Sequence, residues 1–346
     1  MFAKRRPDAE PARHGIAGVP KAELHVHLEG TAPPDLVRRI ADRNGLRLPD
    51  DLLAAPDRFA WRDFLDFLKT YDLAASVIRT GQDYRDVTYE YLASCAAQGA
   101  IYVELIAAIQ LARAAGLDDD EHWEGIGAGI DDARRDHGIE ARVLSSCIRN
   151  FGVEGALEVA ELTAARPHPY VVGFQMAGDE AGYPPEPFAG AYAIAAAGGV
   201  GCTVHAGEWA GAASVRGAME LPGVTRISHG VRAIEDPGLV AELARREIVL
   251  EICPTSNIVL GVFDGFASHP LPALRAAGVR VTLASDDPPY FGASIGGEYA
   301  VAGEHFGLSD DDLRAITADA LRASFAEPAL RERLLGGLTD GDGPRR

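Results

Sequence analysis

The chain has 346 residues, of which 47% are hydrophobic, enough for one large α/β barrel or two ordinary domains. Its formal net charge of −18 repels phosphate backbones, which excludes a nucleic-acid-binding role. No apolar run is long enough to span a membrane, and the basic start Lys4-Arg5-Arg6 leads into no apolar stretch of the kind a secretion signal needs. The four cysteines, Cys95, Cys147, Cys202 and Cys253, form no C-x-x-C pair, and the last three sit in apolar strand-like runs. They read as buried thiols of a reducing, cytoplasmic compartment.

Residues 1–18, rich in proline, alanine and charge, read as a loose tail; residues 19–335 read as one domain and 336–346 as a flexible end. The first strand, Ala22–His27, alternates: Leu24, Val26 and Leu28 point one way, His25 and His27 the other. Two imidazoles on one strand face can share a metal ion. Gly30 and Pro33-Pro34 follow, so this strand ends at a mouth. The stretch from 28 to 99 is longer than one crossover needs. It carries three helical patterns, Asp35–Asn44, Trp61–Tyr71 (with Trp61, Phe64, Leu65 and Leu68 on one face) and Tyr84–Gln98. One is the crossover helix; the others form a helical insertion between strands one and two and a candidate lid.

Seven further strands follow, at Ala100–Ile106, Ala141–Ile148, Tyr170–Met176, Gly201–His205, Thr225–His229, Ile248–Ile252 and Arg280–Ala284. Their near-continuous apolar runs suit strands buried on both faces. After the last, Ser309 caps a helix over Asp310–Phe325. Eight parallel strands alternating with helices predict a (β/α)8 TIM barrel. A doubly wound sheet, the alternative, would want a glycine-rich phosphate turn after an early strand, and none is evident.

A barrel of this kind carries its chemistry at the C-terminal strand ends. Strand one ends in His25 and His27, strand four in Ala177-Gly178-Asp179-Glu180 and strand five in His205-Ala206-Gly207-Glu208. Strand six ends in His229, strand seven in Cys253-Pro254-Thr255-Ser256-Asn257 and strand eight in Asp286-Asp287. Four of the ten histidines thus meet at one rim. The other six, His14, His122, His137, His168, His269 and His305, read as ordinary surface residues, and Ser256 and Asn257 as helix-start chemistry. His25, His27 and His205 offer nitrogen and Asp286 oxygen, a set that suits one Zn²⁺ with a position left for water. Glu208, three residues after His205, can move a proton at the rim. His229 is placed to hold or deprotonate the water. A binuclear site would want a lysine at the end of strand four; the lysines are Lys4, Lys21 and Lys69, so a single metal is expected.

These motifs, together with Pro20-Lys21-Ala22-Glu23-Leu24-His25-Val26-His27-Leu28-Glu29-Gly30, resemble the adenosine deaminase family of the amidohydrolase barrels, from about Val19 to about Leu335. The resemblance implies that His25, His27, His205 and Asp286 bind zinc, and that Glu208 protonates N1 of a purine while a zinc-activated water attacks C6. It further implies that His229 positions and activates that water. Asp287 would hold N7 and the Gly178 backbone N–H would hold N3, with His27 and Glu29 near a ribose 5′ hydroxyl. The small zinc deaminases of nucleic acids use an H-x-E…P-C-x-x-C pattern instead, which is missing here. Three positions depart from the family: Glu29 where many members have Asp, Gln175-Met176 where an aliphatic pair is commoner, and Trp209 after Glu208. Relatives acting on free adenine usually have serines and a different acid near Gly178, so the Ala-Gly-Asp-Glu run favours a nucleoside. The expected reaction is therefore adenosine to inosine and ammonia. The alternatives are a deaminase of free adenine, of a 5′-modified nucleoside or of an N6-substituted purine, and a catalytically silent purine-binding protein. A competent residue at every metal and proton-transfer position argues against the last.

Overall fold

A computed structural model describes residues 18–339; the expected N-terminal tail up to residue 17 and the stretch 340–346 lie outside the described residues. Eight strands form the barrel: β1 Lys21–His27, β2 Ala100–Ala107, β3 Glu140–Ile148, β4 Val171–Ala177, β5 in two pieces (Gly201–Cys202 and His205–Ala206), β6 Arg226–His229, β7 Val249–Ile252 and β8 Arg280–Leu283. All pairings among them are parallel and follow chain order. The ring closes through a bridge between Val26 and Asp286. His27 N–H donates to the Asp286 carbonyl at 3.0 Å, and Asp286 N–H to the His25 carbonyl at 3.3 Å. The barrel is therefore stitched shut by the main chain of residues singled out as metal ligands.

The strands are buried on both faces, as their apolar runs require: Leu24, Val26, Val103, Leu105, Leu250 and Ile252 are all fully buried. The lower interior is polar. Arg226 pairs with Glu104 at 2.6 Å and with Glu251 at 2.7 Å, each side chain almost wholly buried. Ser228 and Thr203 donate to Glu251 at 2.8 and 3.2 Å. Burying charge is costly unless it is paired and hydrogen-bonded, and here it is both.

Between β1 and β2 lie three helices, α1 Pro34–Arg43, α2 Phe64–Ala75 and α3 Gly81–Ala97, with a short hairpin of Leu53–Ala55 and Arg58–Phe59. α2 starts three residues later than expected because Asp63 is its N-cap, accepting from Asp66 N–H at 3.0 Å. Its buried face also differs. Phe67, Thr70, Ala74 and Ala75 are buried, whereas Leu65 is 61% exposed. Phe64, Leu65 and Leu68 instead line a cavity at the barrel mouth. α3 starts earlier than expected, at a capping box of Thr80 and Asp83. Ser309 caps the helix Asp310–Ala323 through a capping box with Asp312, as anticipated. The last helix, Pro328–Thr339, runs past residue 335, the end assigned to the domain, and packs Leu330 and Leu334 against Ala22, Leu24 and Tyr102 under the barrel. All four cysteines are free and buried. Among the described residues no helix is long and apolar enough to cross a membrane.

Candidate active site

The four rim histidines come together. Ring centroids of His25 lie 5.3 Å from His27, 4.6 Å from His205 and 4.8 Å from His229, and those of His27 and His205 lie 5.1 Å apart. The strand ends that carry them are bent into place: His229 and Asp286 adopt φ of +62° and +64°, a region costly for residues with a Cβ and one that clusters at functional sites. His27 Nε2 faces His205 Nε2 at 3.2 Å. Asp286 Oδ1 lies 3.5 Å from both His25 Nε2 and His27 Nε2. One ligand atom from each of His25, His205, His229 and Asp286 falls within 4.8 Å of all the others, and His27, Asp286 and Asp287 meet the same test.

This donor set fits a metal ion. Both ring nitrogens of His25 and Nε2 of His229 are buried without a hydrogen-bond partner, which would be expensive in a plain core. Burial draws two of the imidazoles toward their neutral, lone-pair form: His27 falls to about 4, and His205 well below its ordinary value. Asp286 stays ionised, its pKa lowered by His25, His229 and His27 against the opposing effect of burial. Three imidazoles and one carboxylate suit zinc.

Side chains from a neighbouring strand and from the turns and helix that follow other strands hold these donors. Gln175 hydrogen-bonds His205 Nδ1 and accepts from Ser146 at 2.5 Å. Arg149 donates to the His205 carbonyl at 2.6 Å. Ser256 donates to Asp286 Oδ2 at 2.6 Å, and Asn257 meets His229 Nδ1 at 3.3 Å. Ser256 and Asn257, read from sequence as helix-start residues, thus orient the site as well. Gln175 was visible in the sequence only as a departure from an aliphatic pair.

Glu208 and Asp287 are buried beside this cluster. The Glu208 carboxyl lies 3.7 Å from His229 Nε2. Desolvation first, then Asp286 and Glu180, push its pKa well above the usual carboxylate range. Burial and Asp286 raise Asp287 likewise. Both carboxyls are thereby biased toward the protonated, donating form. Gly30 must be glycine: a Cβ there would stand 1.8 Å from Asp287 Oδ1. The loop carrying Glu208 is fixed by Glu180, whose carboxylate accepts from the N–H groups of Gly207, Glu208, Trp209 and Ala210 and from the Ser214 hydroxyl. A cavity of about 410 Å³ opens onto the cluster, with Gly178, His27, His205, Glu208, His229, Asp286 and Asp287 in its wall and Phe64, Leu65, Leu68 and Phe151 among its apolar residues. Trp209 packs on Phe64 at 4.9 Å, joining the Glu208 loop to α2.

Two expectations about histidines need correction. His122 and His269 are buried, not surface residues, since helix packing and loop closure cover them from parts of the chain distant in sequence. His14 lies outside the described residues.

Comparison with known proteins places the chain among deaminases. A family model described as adenosine deaminase matches residues 20–340. An adenine deaminase of Chelativorans sp. (strain BNC1) is 45% identical over 318 residues, covering 92% of this chain and 97% of that protein. The crystal structure of an adenine deaminase from Arthrobacter aurescens superposes with a TM-score of 0.85 at 31% identity, covering 93% of this chain and 98% of that one. An amidohydrolase from Burkholderia ambifaria, solved with bound zinc, superposes at 0.84 with 26% identity, covering 94% of this chain and 91% of that one.

The expectation of adenosine as substrate, with inosine as product, is overturned by these relatives, which bear the name adenine deaminase. Two residues behind that expectation are engaged elsewhere in the structure. Glu29, assigned to a ribose hydroxyl, is 2% exposed and turned inward, accepting from Ala108 N–H at 3.1 Å and the Tyr84 hydroxyl at 3.3 Å. Glu180, part of the run taken as a nucleoside signature, serves the backbone of 207–210 and says nothing about a sugar. With barrel, buried metal-competent cluster, matched family model and close relatives in agreement, the chain belongs to the adenosine deaminase family of amidohydrolase-type deaminases.

Proposed function

We propose that the chain hydrolyses the 6-amino group of free adenine, taking one water and giving hypoxanthine and ammonia, with one zinc ion held by His25, His27, His205 and Asp286. The observation that carries this reading is the 45% identity to proteins named adenine deaminase over nine-tenths of the chain. The cavity is in keeping with a small purine: it holds about 410 Å³, and Phe64, Leu65, Leu68 and Phe151 give it a largely apolar wall away from the histidines.

When bound, the metal supplies a water whose lowered pKa makes it a nucleophile near neutral pH. The chain's own groups do the rest. The purine lies in the cavity with C6 toward the histidines. The Gly178 N–H holds N3; Gly178 has φ +109°, a conformation glycine adopts without strain. Asp287, protonated by its surroundings, donates to N7. Glu208, also protonated, donates to N1, so that electron density displaced from C6 has somewhere to go. His229 faces the attacking water. The attacking water gives up two protons, one replacing the proton that Glu208 passes to N1 and one going to the 6-amino nitrogen, and the C6–N bond breaks to release ammonia.

The test is kcat/KM for adenine against adenosine, 5′-modified adenosines and N6-substituted adenines, on protein with verified zinc. Adenine should be preferred. Preference for a nucleoside, or no turnover of any 6-aminopurine, contradicts the proposal.

A further inference from the structure

A line of buried hydrogen bonds outside the reacting cluster ends on His229. It starts at a main-chain group: Leu271 N–H donates to His269 Nδ1 at 3.2 Å. A backbone N–H can only donate, so His269 Nδ1 carries a lone pair, and the neutral ring keeps its proton on Nε2. His269 is 4% exposed, and burial lowers its pKa to about 4, so it is neutral at pH 7. Its ring is held by Phe263 and Phe306, with centroids at 5.4 and 5.3 Å. His269 Nε2 lies 3.2 Å from Asn257 Oδ1, which therefore accepts. That orients the Asn257 amide, whose Nδ2 stands 3.3 Å from His229 Nδ1. An amide nitrogen donates, so His229 Nδ1 accepts. The ring proton of neutral His229 is left on Nε2, the atom 3.7 Å from Glu208 and 3.9 Å from Asp286.

We propose that His269 and Asn257 are positioning residues that lock His229 in its Nε2–H form, so that His229 presents a hydrogen-bond donor to the attacking water and takes no proton from it. The inference rests on the deaminase reading above and decides between the two roles, holding or deprotonating, that His229 could fill there. The chain of donors has a fixed sense set by Leu271, and reversing any link reverses the end.

The test is the tautomer of each imidazole in the zinc-loaded protein, read by ¹H–¹⁵N correlation after histidine labelling. His229 should be protonated on Nε2. In Asn257→Asp the middle group accepts from both sides, and the His229 proton should move to Nδ1. In His269→Leu the single tautomer should be lost, with kcat falling about 10- to 100-fold, as for other residues that orient a ligand or base, and KM changing less. His269→Gln, whose amide N–H can still donate to Asn257, should recover most of that loss and the Nε2–H form. His229 protonated on Nδ1 in the unaltered protein would overturn the proposal. So would an unchanged tautomer in Asn257→Asp, or equal losses in the Leu and Gln variants. The tautomer is read without substrate, so failure of the adenine reading leaves this test standing.

Discussion

The barrel interior holds two buried polar clusters, and they are built on opposite principles. Below, Arg226 sits between Glu104 and Glu251, and each carboxylate meets the guanidinium at hydrogen-bond distance. Above, His25 and His229 present nitrogens that meet no hydrogen-bond partner, and Glu208 and Asp287 are driven toward their neutral forms. The two nearly touch, for Glu251 lies 3.6 Å from His25 Nδ1. The lower cluster is satisfied within the protein and serves the fold. The upper one is left incomplete, and what completes it is a metal and a substrate. What sets the upper cluster apart is that its unpartnered groups stand in the wall of a cavity beside two carboxyls pushed toward neutrality.

Substitutions can break or sharpen this contrast. The largest effect is expected for His205→Ala, which removes a donor from the upper cluster and should abolish both zinc binding and turnover; metal analysis and an adenine assay check it. Glu208→Gln should keep the zinc and lose turnover by a factor on the order of 10² to 10⁴, the contribution of one proton-transfer group. Near-normal turnover there would mean that another group protonates N1. Arg226→Met strikes the lower cluster. It strands two buried carboxylates and should cost roughly 3–5 kcal/mol in urea unfolding, while folded protein still binds one zinc per chain. Zinc loss in the folded variant would show that the clusters are not separable.

The smallest effect concerns Glu298, a lone buried carboxyl that accepts from Thr255 N–H at 3.2 Å and whose pKa burial raises to about 8. A folded-state pKa above the unfolded one means that the neutral form is favoured in the fold. Its contribution is full below the unfolded pKa and is lost as pH rises through about 8. Glu298→Gln, permanently neutral, should flatten the fall in melting temperature between about pH 5 and 8. An unchanged slope would contradict this.

Much of this was legible before any coordinates. The alternation of Leu24, Val26 and Leu28 against His25 and His27 placed β1, and near-continuous apolar runs placed the other seven strands. Strand order then brought His205, Glu208, His229, Asp286 and Asp287 to one rim. Other features depend on contacts between distant segments. Leu65 and Leu68 carry an apolar stripe that a core helix would also carry, yet they face a cavity. His269 sits in a loop between Ser268 and Pro270, and only the approach of Asn257 gives it a role. The inward direction of Glu29 is set by Tyr84 and Ala108, both distant from it in sequence.

The central claim is that the three imidazoles and the carboxylate gathered at the barrel mouth exist to hold a metal. Anomalous diffraction at the zinc edge, on crystals of the purified protein, tests it directly. The account predicts one strong peak per chain, bonded to His25, His27, His205 and Asp286. A mouth without a peak, or an ion held elsewhere with these side chains bonded to one another, would contradict it.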